Sequence, residues 1–114
     1  MIAVIFEVIP APECKEEYLD VAASLKPELV KIGGFISVER FQSLTDPGKL
    51  LSLSFWEDEA AITAWRNLEL HRQAQGTGRE RIFRDYRLRI GPVIRDYGMN
   101  YRMEAPADSI AALH

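Results

Sequence analysis

The chain is short of the residues that build thiol and metal chemistry. It has one cysteine, Cys14, and two histidines, His71 and His114, in 114 residues. A lone cysteine closes no internal disulfide and forms no two-cysteine metal site, which suits a reducing compartment. Two histidines far apart in the chain make a poor protein-only metal site. No apolar run approaches the roughly 18 residues needed to span a bilayer. The opening run "MIAVIF" lacks a basic segment and is interrupted by Glu7, so it does not read as a secretory leader. Neither sign of charge dominates. A formal net charge of −3 gives no general pull toward nucleic acid or an anionic membrane. The expectation is a cytoplasmic protein.

What is present is an ordinary globular composition, 47% hydrophobic and 27% charged. The length suits one domain with one hydrophobic core. There are no internal repeats and no low-complexity segments.

Ile2 to Ile9 is short, β-branched and apolar, and predicts a largely buried strand. "PAPE" ends it, and Pro12 and Glu13 suit a helix start. From Glu13 to Ile32 the apolar residues Tyr18, Val21, Ala22, Leu25, Leu29 and Ile32 recur at threes and fours, one buried helix face. Pro27 lies inside this pattern and predicts a kink near Ala23 or Ser24. Gly33-Gly34 stops the helix.

Phe35 to Ser43 predicts a second strand, "LTDPGK" a turn, and Leu50 to Trp56 a third strand. The two strands should pair as an antiparallel hairpin. Asp58 offers an N-cap to a second helix, with Ala61, Ile62, Trp65 and Leu68 on one face. Arg81 to Ile90 predicts a fourth strand in which Ile82, Tyr86, Leu88 and Ile90 nearly alternate. Gly91-Pro92 should break or bulge it. The order β-α-β-β-α-β predicts an α+β, ferredoxin-like fold, with four antiparallel strands carrying two helices on one face. The domain should cover 1–97, followed by a C-terminal extension over 98–114. Apolar residues fall on both faces of each strand. The second sheet face therefore needs a cover, and a second copy of the chain is the simplest one, which predicts a homodimer.

Three stretches carry a family resemblance: "GGFISVERF", "LLSLSFWEDEAAITAWR" and "FRDYRLRI", in this order of elements. Over about 1–97 the chain resembles the antibiotic biosynthesis monooxygenase family. The resemblance implies a dimeric α+β barrel with a pocket between each sheet and its helices. It also implies oxidation of phenols, quinols or polycyclic aromatics by O2 without metal, flavin or haem, the quinol monooxygenases being the nearest functional model. A related branch binds and degrades haem through an asparagine on strand one, a tryptophan on helix two and a histidine ten residues further on. Trp65 falls at that tryptophan's place. The asparagine's place falls near Phe6 or Glu7, and Gln75 stands ten residues after Trp65, so that triad is not present as written.

Trp65 reads as a core anchor or as the wall of an aromatic pocket. His71 titrates near neutrality and is the general-base candidate. Deprotonating a phenol or quinol gives an electron-rich anion that can pass an electron to O2. On a straight helix the six residues from Trp65 to His71 turn through about 240° net, so the two converge only if the helix breaks near Asn67 to Glu69. Tyr86, Arg40 and Phe6 are the substrate-binding candidates: a phenol to hold an oxygen, a cation for an anionic group, and an aromatic on strand one. Trp56 reads as an edge or dimer-contact aromatic.

Arg79, Arg81, Arg84, Arg87, Arg89 and Arg95 form a basic stretch. Acids lie among them, and Arg87 and Arg89 alternate with the apolar face, as on an outer strand surface rather than a nucleic-acid site. "GTGR" lacks the strand and lysine of a phosphate loop. His114 ends a tail without a recognisable partner, and Cys14 reads as a bystander near a helix start. The expected activity is cofactor-independent monooxygenation of a small aromatic, phenolic or quinol substrate with O2. The alternatives are a haem-binding or haem-degrading protein, with His71 as the axial ligand, and a non-catalytic small-molecule-binding dimer.

Overall fold

The central strand, β1, runs Ile2–Pro10 and hydrogen-bonds on both sides, to β3 (Leu50–Trp56) and β4 (Phe83–Pro92). β2 (Phe35–Gln42) pairs with β3, giving the sheet order β2-β3-β1-β4, antiparallel throughout. Two helices, α1 (Lys15–Leu29) and α2 (Glu59–Gln75), complete the predicted β-α-β-β-α-β order, and a short α3 (Ala107–Ala112) follows. This is the ferredoxin-like α+β arrangement. The computed structural model describes residues 1–75 and 82–112, with side chains described for 1–68 and 82–109.

Local chemistry sets the boundaries. A 3-10 turn over Pro12–Cys14 precedes α1, and Cys14 is buried in the core beside Val8 and Tyr18. α1 ends at Leu29, three residues before the periodicity does. Lys31 and Ile32 donate their N–H groups three residues back, to Glu28 and Leu29. The chain thus tightens after Pro27, which lies in the last helical turn and supplies no N–H. Gly34 then takes φ +92°, and a Cβ there would lie 2.8 Å from the Ala61 Cβ. Only glycine allows both the left-handed turn and this close approach. Asp58 caps α2 as expected, accepting the Ala61 N–H at 2.9 Å.

Two expectations are corrected. β4 does not stop at Gly91-Pro92 but carries them in register with Ala3 and Ile2. The missing proline donor is tolerated because β4 is an edge strand with one neighbour. Trp56 is not an edge aromatic: it is 1% exposed. Its indole N–H donates to Ser54 Oγ at 2.9 Å, and its ring meets Phe35 edge-on at 5.3 Å.

The core divides along the strands. At one end Val8, Leu50, Tyr18, Cys14 and Ile82 pack together. At the other, Trp56, Leu29, Ala61 and Ile62 pack together, with Ile2 and Val38 against them. α1 joins the two ends, since Tyr18 belongs to the first cluster and Leu29 to the second.

Candidate functional site

Between the two core clusters, sheet and helices enclose a cavity of about 830 Å³. Its floor is two rows of side chains on the helix-bearing face. One row is Arg40, Ser52, Phe6 and Leu88; the next is Val38, Ser54, Val4 and Ile90. Period-2 alternation puts these residues on one face and Glu39, Phe41, Leu51, Leu53 and Ile5 on the other. Val21, Ala22 and Leu25 of α1 form the roof with Ile62 and Trp65 of α2.

One end of the cavity is aromatic. Phe6 meets Phe83 at 6.1 Å and Tyr86 at 5.6 Å between ring centroids, both edge-on. Phe83 also meets Tyr18 at 5.7 Å and Tyr86 at 5.9 Å. Such edge-to-face sets are rigid and offer flat apolar surface. Tyr86, Leu88 and Ile90 line the cavity yet are exposed, so it opens along β4.

Charge is sparse inside and sorted by face. Arg40 lines the cavity, and its Nε is buried without a hydrogen-bond partner. Arg66, Arg84 and Asp85 also line it but are exposed. On the opposite sheet face Glu7 stands 3.3 Å from Lys49 Nζ and 3.5 Å from Arg89 Nη1. The Lys49 hydrogen bond, helped by both positive charges, holds the Glu7 carboxyl below its ordinary range. Arg89 thus lies on the outer strand surface, as its alternation predicts. Among the described residues no three metal-ligating side chains cluster. Among them, too, no helix is long and apolar enough to cross a membrane.

Four of the five residues singled out from the sequence, Trp65, Phe6, Tyr86 and Arg40, line this one cavity. The fifth, His71, lies on α2, but its side chain is outside the described residues, as are His114 and the "GTGR" segment. α2 is unbroken from Glu59 to Gln75, so the helix break near Asn67 to Glu69 that convergence of Trp65 and His71 requires is absent. Sequence reasoning missed Phe83, Ser52 and Ser54. The serines had a signal: they alternate with Leu51, Leu53 and Phe55, placing hydroxyls where a solid core would place carbon.

The sequence profile of the antibiotic biosynthesis monooxygenase family matches residues 1–77. The chain belongs to this family. A curated family relative, named jasmonate monooxygenase ABM, from Pyricularia oryzae, is 50% identical over 93 residues. The match covers 82% of this chain and 43% of that protein, so the chain spans less than half of the relative's length. Solved structures share the fold. PA3566 from Pseudomonas aeruginosa superposes with a TM-score of 0.68 at 18% identity, covering 81% of this chain and 92% of that one. The haem-degrader MhuD from Mycobacterium tuberculosis, solved with two haems bound in its active site, gives a TM-score of 0.67 at 16% identity. That match covers 86% of this chain and all of the other, 100%.

Proposed function

We propose that this family member is a monooxygenase that takes a small, largely apolar organic molecule, aromatic or phenolic in its reacting part, into the cavity and oxidises it with O2 and no cofactor. The observation that carries this reading is the cavity itself: about 830 Å³, with a mostly apolar and aromatic wall and polar side chains at its edges. Small-molecule sites have this size and character. The relative from Pyricularia oryzae is named as a monooxygenase of jasmonate, a small organic substrate.

The balance of the reaction needs no external reductant. One oxygen atom enters the substrate in place of two hydrogens. The other leaves as water, taking those two hydrogens and their electrons. The protein's task is to hold the substrate flat, exclude water and remove a proton. Phe6, Trp65 and Tyr86 do the holding, and His71 is the proposed base. A monooxygenase of this kind also matches the proposed homodimer. The sheet face away from the cavity carries Ile5, Leu51, Leu53, Phe55 and Phe41, an apolar surface that a second copy would cover.

Haem chemistry fits the described residues less well. The described cavity wall holds no histidine, cysteine or methionine to ligate iron, and its two phenols, Tyr18 and Tyr86, pack into the aromatic cluster around Phe83.

The test is oxygen uptake by purified protein with a panel of quinols and polyphenols and nothing else added. Uptake should fall about 100-fold or more in His71→Ala, the usual scale for a lost general base. Uptake unchanged in His71→Ala removes His71 from the mechanism. No uptake with any substrate removes the oxygenase reading.

A further inference from the structure

The cavity floor is polar at one edge and apolar at the other. Arg40, Ser52, Phe6 and Leu88 form a single row across β2, β3, β1 and β4, and all four line the cavity. With neighbouring strands about 4.8 Å apart, the row spans about 14 Å of sheet. A cation and a hydroxyl occupy one half of it, an aromatic ring and an aliphatic side chain the other.

Arg40 is the unusual member. Its Nε is buried without a hydrogen-bond partner, and no ion pair joins Arg40 to any acid among the described residues. Among the described residues the lining has one acid, Asp85, which is exposed and stands on β4 at the far edge. Its carboxylate accepts the Tyr86 backbone N–H at 2.9 Å. A guanidinium N–H withdrawn from water without an acceptor is destabilising. Its planar fork matches a carboxylate better than any neutral group. Ser52, opposite Arg40 on β3, adds a hydroxyl donor on the same floor.

We propose that the cavity binds its substrate as an organic anion, a monocarboxylate with an apolar body. The carboxylate sits on Arg40 and Ser52, and the body lies over Phe6 toward Leu88. The word substrate rests on the oxygenase reading above; the binding claim stands apart from turnover. The orientation has a chemical consequence. The carbon presented to O2 lies at the Phe6–Tyr86 end, beside the opening along β4 and remote from the carboxylate.

The experiment is calorimetric titration of the whole chain with octanoate, methyl octanoate and 1-octanol, repeated in Arg40→Met and Arg40→Lys. The native protein should bind octanoate at least about tenfold more tightly than the ester or the alcohol. Arg40→Met should lose that preference, keep its affinity for 1-octanol and melt no lower than the native chain, since no partner among the described residues is lost. Arg40→Lys should keep part of the preference. Equal affinity for acid and alcohol in the native protein overturns the proposal. So does an acid preference that survives Arg40→Met, or a joint loss of stability and of affinity for both ligands. An intact, Arg40-dependent acid preference without oxygen uptake from any substrate would remove the oxygenase reading and leave the anion site standing.

Discussion

Arg40 and Ser52 stand opposite each other on β2 and β3 facing the cavity, while their sequence neighbours Phe41 and Leu51 are paired on the opposite face. At this pair of positions the polar side chains point inward and the apolar ones outward, although Glu39 and Val38 on the same strand do the reverse. The inversion is the arrangement expected of a sheet that lines a binding cavity on one side and meets another surface on the other.

The outward apolar face gives the first prediction. Leu53→Arg places a charge at the centre of that face, opposite Ile5 and Glu39. Native protein should sediment as a dimer at micromolar concentration, and Leu53→Arg as a folded monomer. A monomeric native protein would rule out the second copy as the cover.

Trp56 should be among the costliest residues to truncate. It is almost fully buried, edge-on to Phe35 and hydrogen-bonded to Ser54. Trp56→Ala is expected to lose about 3–5 kcal/mol of stability in urea unfolding. Trp56→Phe should lose less, because a ring remains against Phe35, although the indole's extra volume and its N–H bond to Ser54 both go. A small loss in Trp56→Ala would show that the neighbouring side chains collapse into the space.

Gly34 should tolerate no side chain. Gly34→Ala adds a methyl group at φ +92°, 2.8 Å from the Ala61 Cβ at the start of α2. Thermal unfolding should show a loss of about 2 kcal/mol, from backbone strain and crowding together. Gly33→Ala next to it meets nothing within 4 Å and has no positive φ, so it should be nearly neutral. Equal effects at both positions would contradict this assignment.

The Glu7 cluster predicts a pH dependence of definite sign. Lys49 and Arg89 lower the folded-state carboxyl below its ordinary value of 4.5. The folded protein therefore binds the proton less readily than the unfolded chain. The stabilisation is present above the ordinary value and disappears as pH falls through the lowered one. Glu7→Gln should be less stable than the native protein at pH 7, by an amount that shrinks below pH 4.5 and in high salt. A stability difference independent of pH and salt would assign the effect to packing instead.

Much of the fold was legible because periodicity is local. The β-branched apolar run from Ile2 to Ile9 and the threes and fours around Tyr18 to Leu29 marked the elements, and Asp58 and Gly34 marked the ends. The failures were local rules overridden by position. Gly91-Pro92 reads as a strand break but lies on an edge strand, where a missing donor is harmless. Trp56 reads as peripheral at the end of its strand, yet the register pairs it with Ile2 and Phe35 under α2. Trp65, Phe6, Tyr86 and Arg40 could be named one by one from the sequence. That they line one cavity could not, because they come from four elements separated by up to 80 residues.

The sequence by itself determined the order and kind of the six main elements, and with them the family, but not the short α3 in the C-terminal extension. Each depends on contacts between residues a few positions apart. Tertiary structure alone decided which of the two alternating faces of β3 would be covered by helices. Alternation defines two faces but does not say which is inside; strand register and the helix crossovers do. That decision put Trp56 in the core, the serines on the cavity floor, and Arg40 in a cavity with no acid paired to it among the described residues.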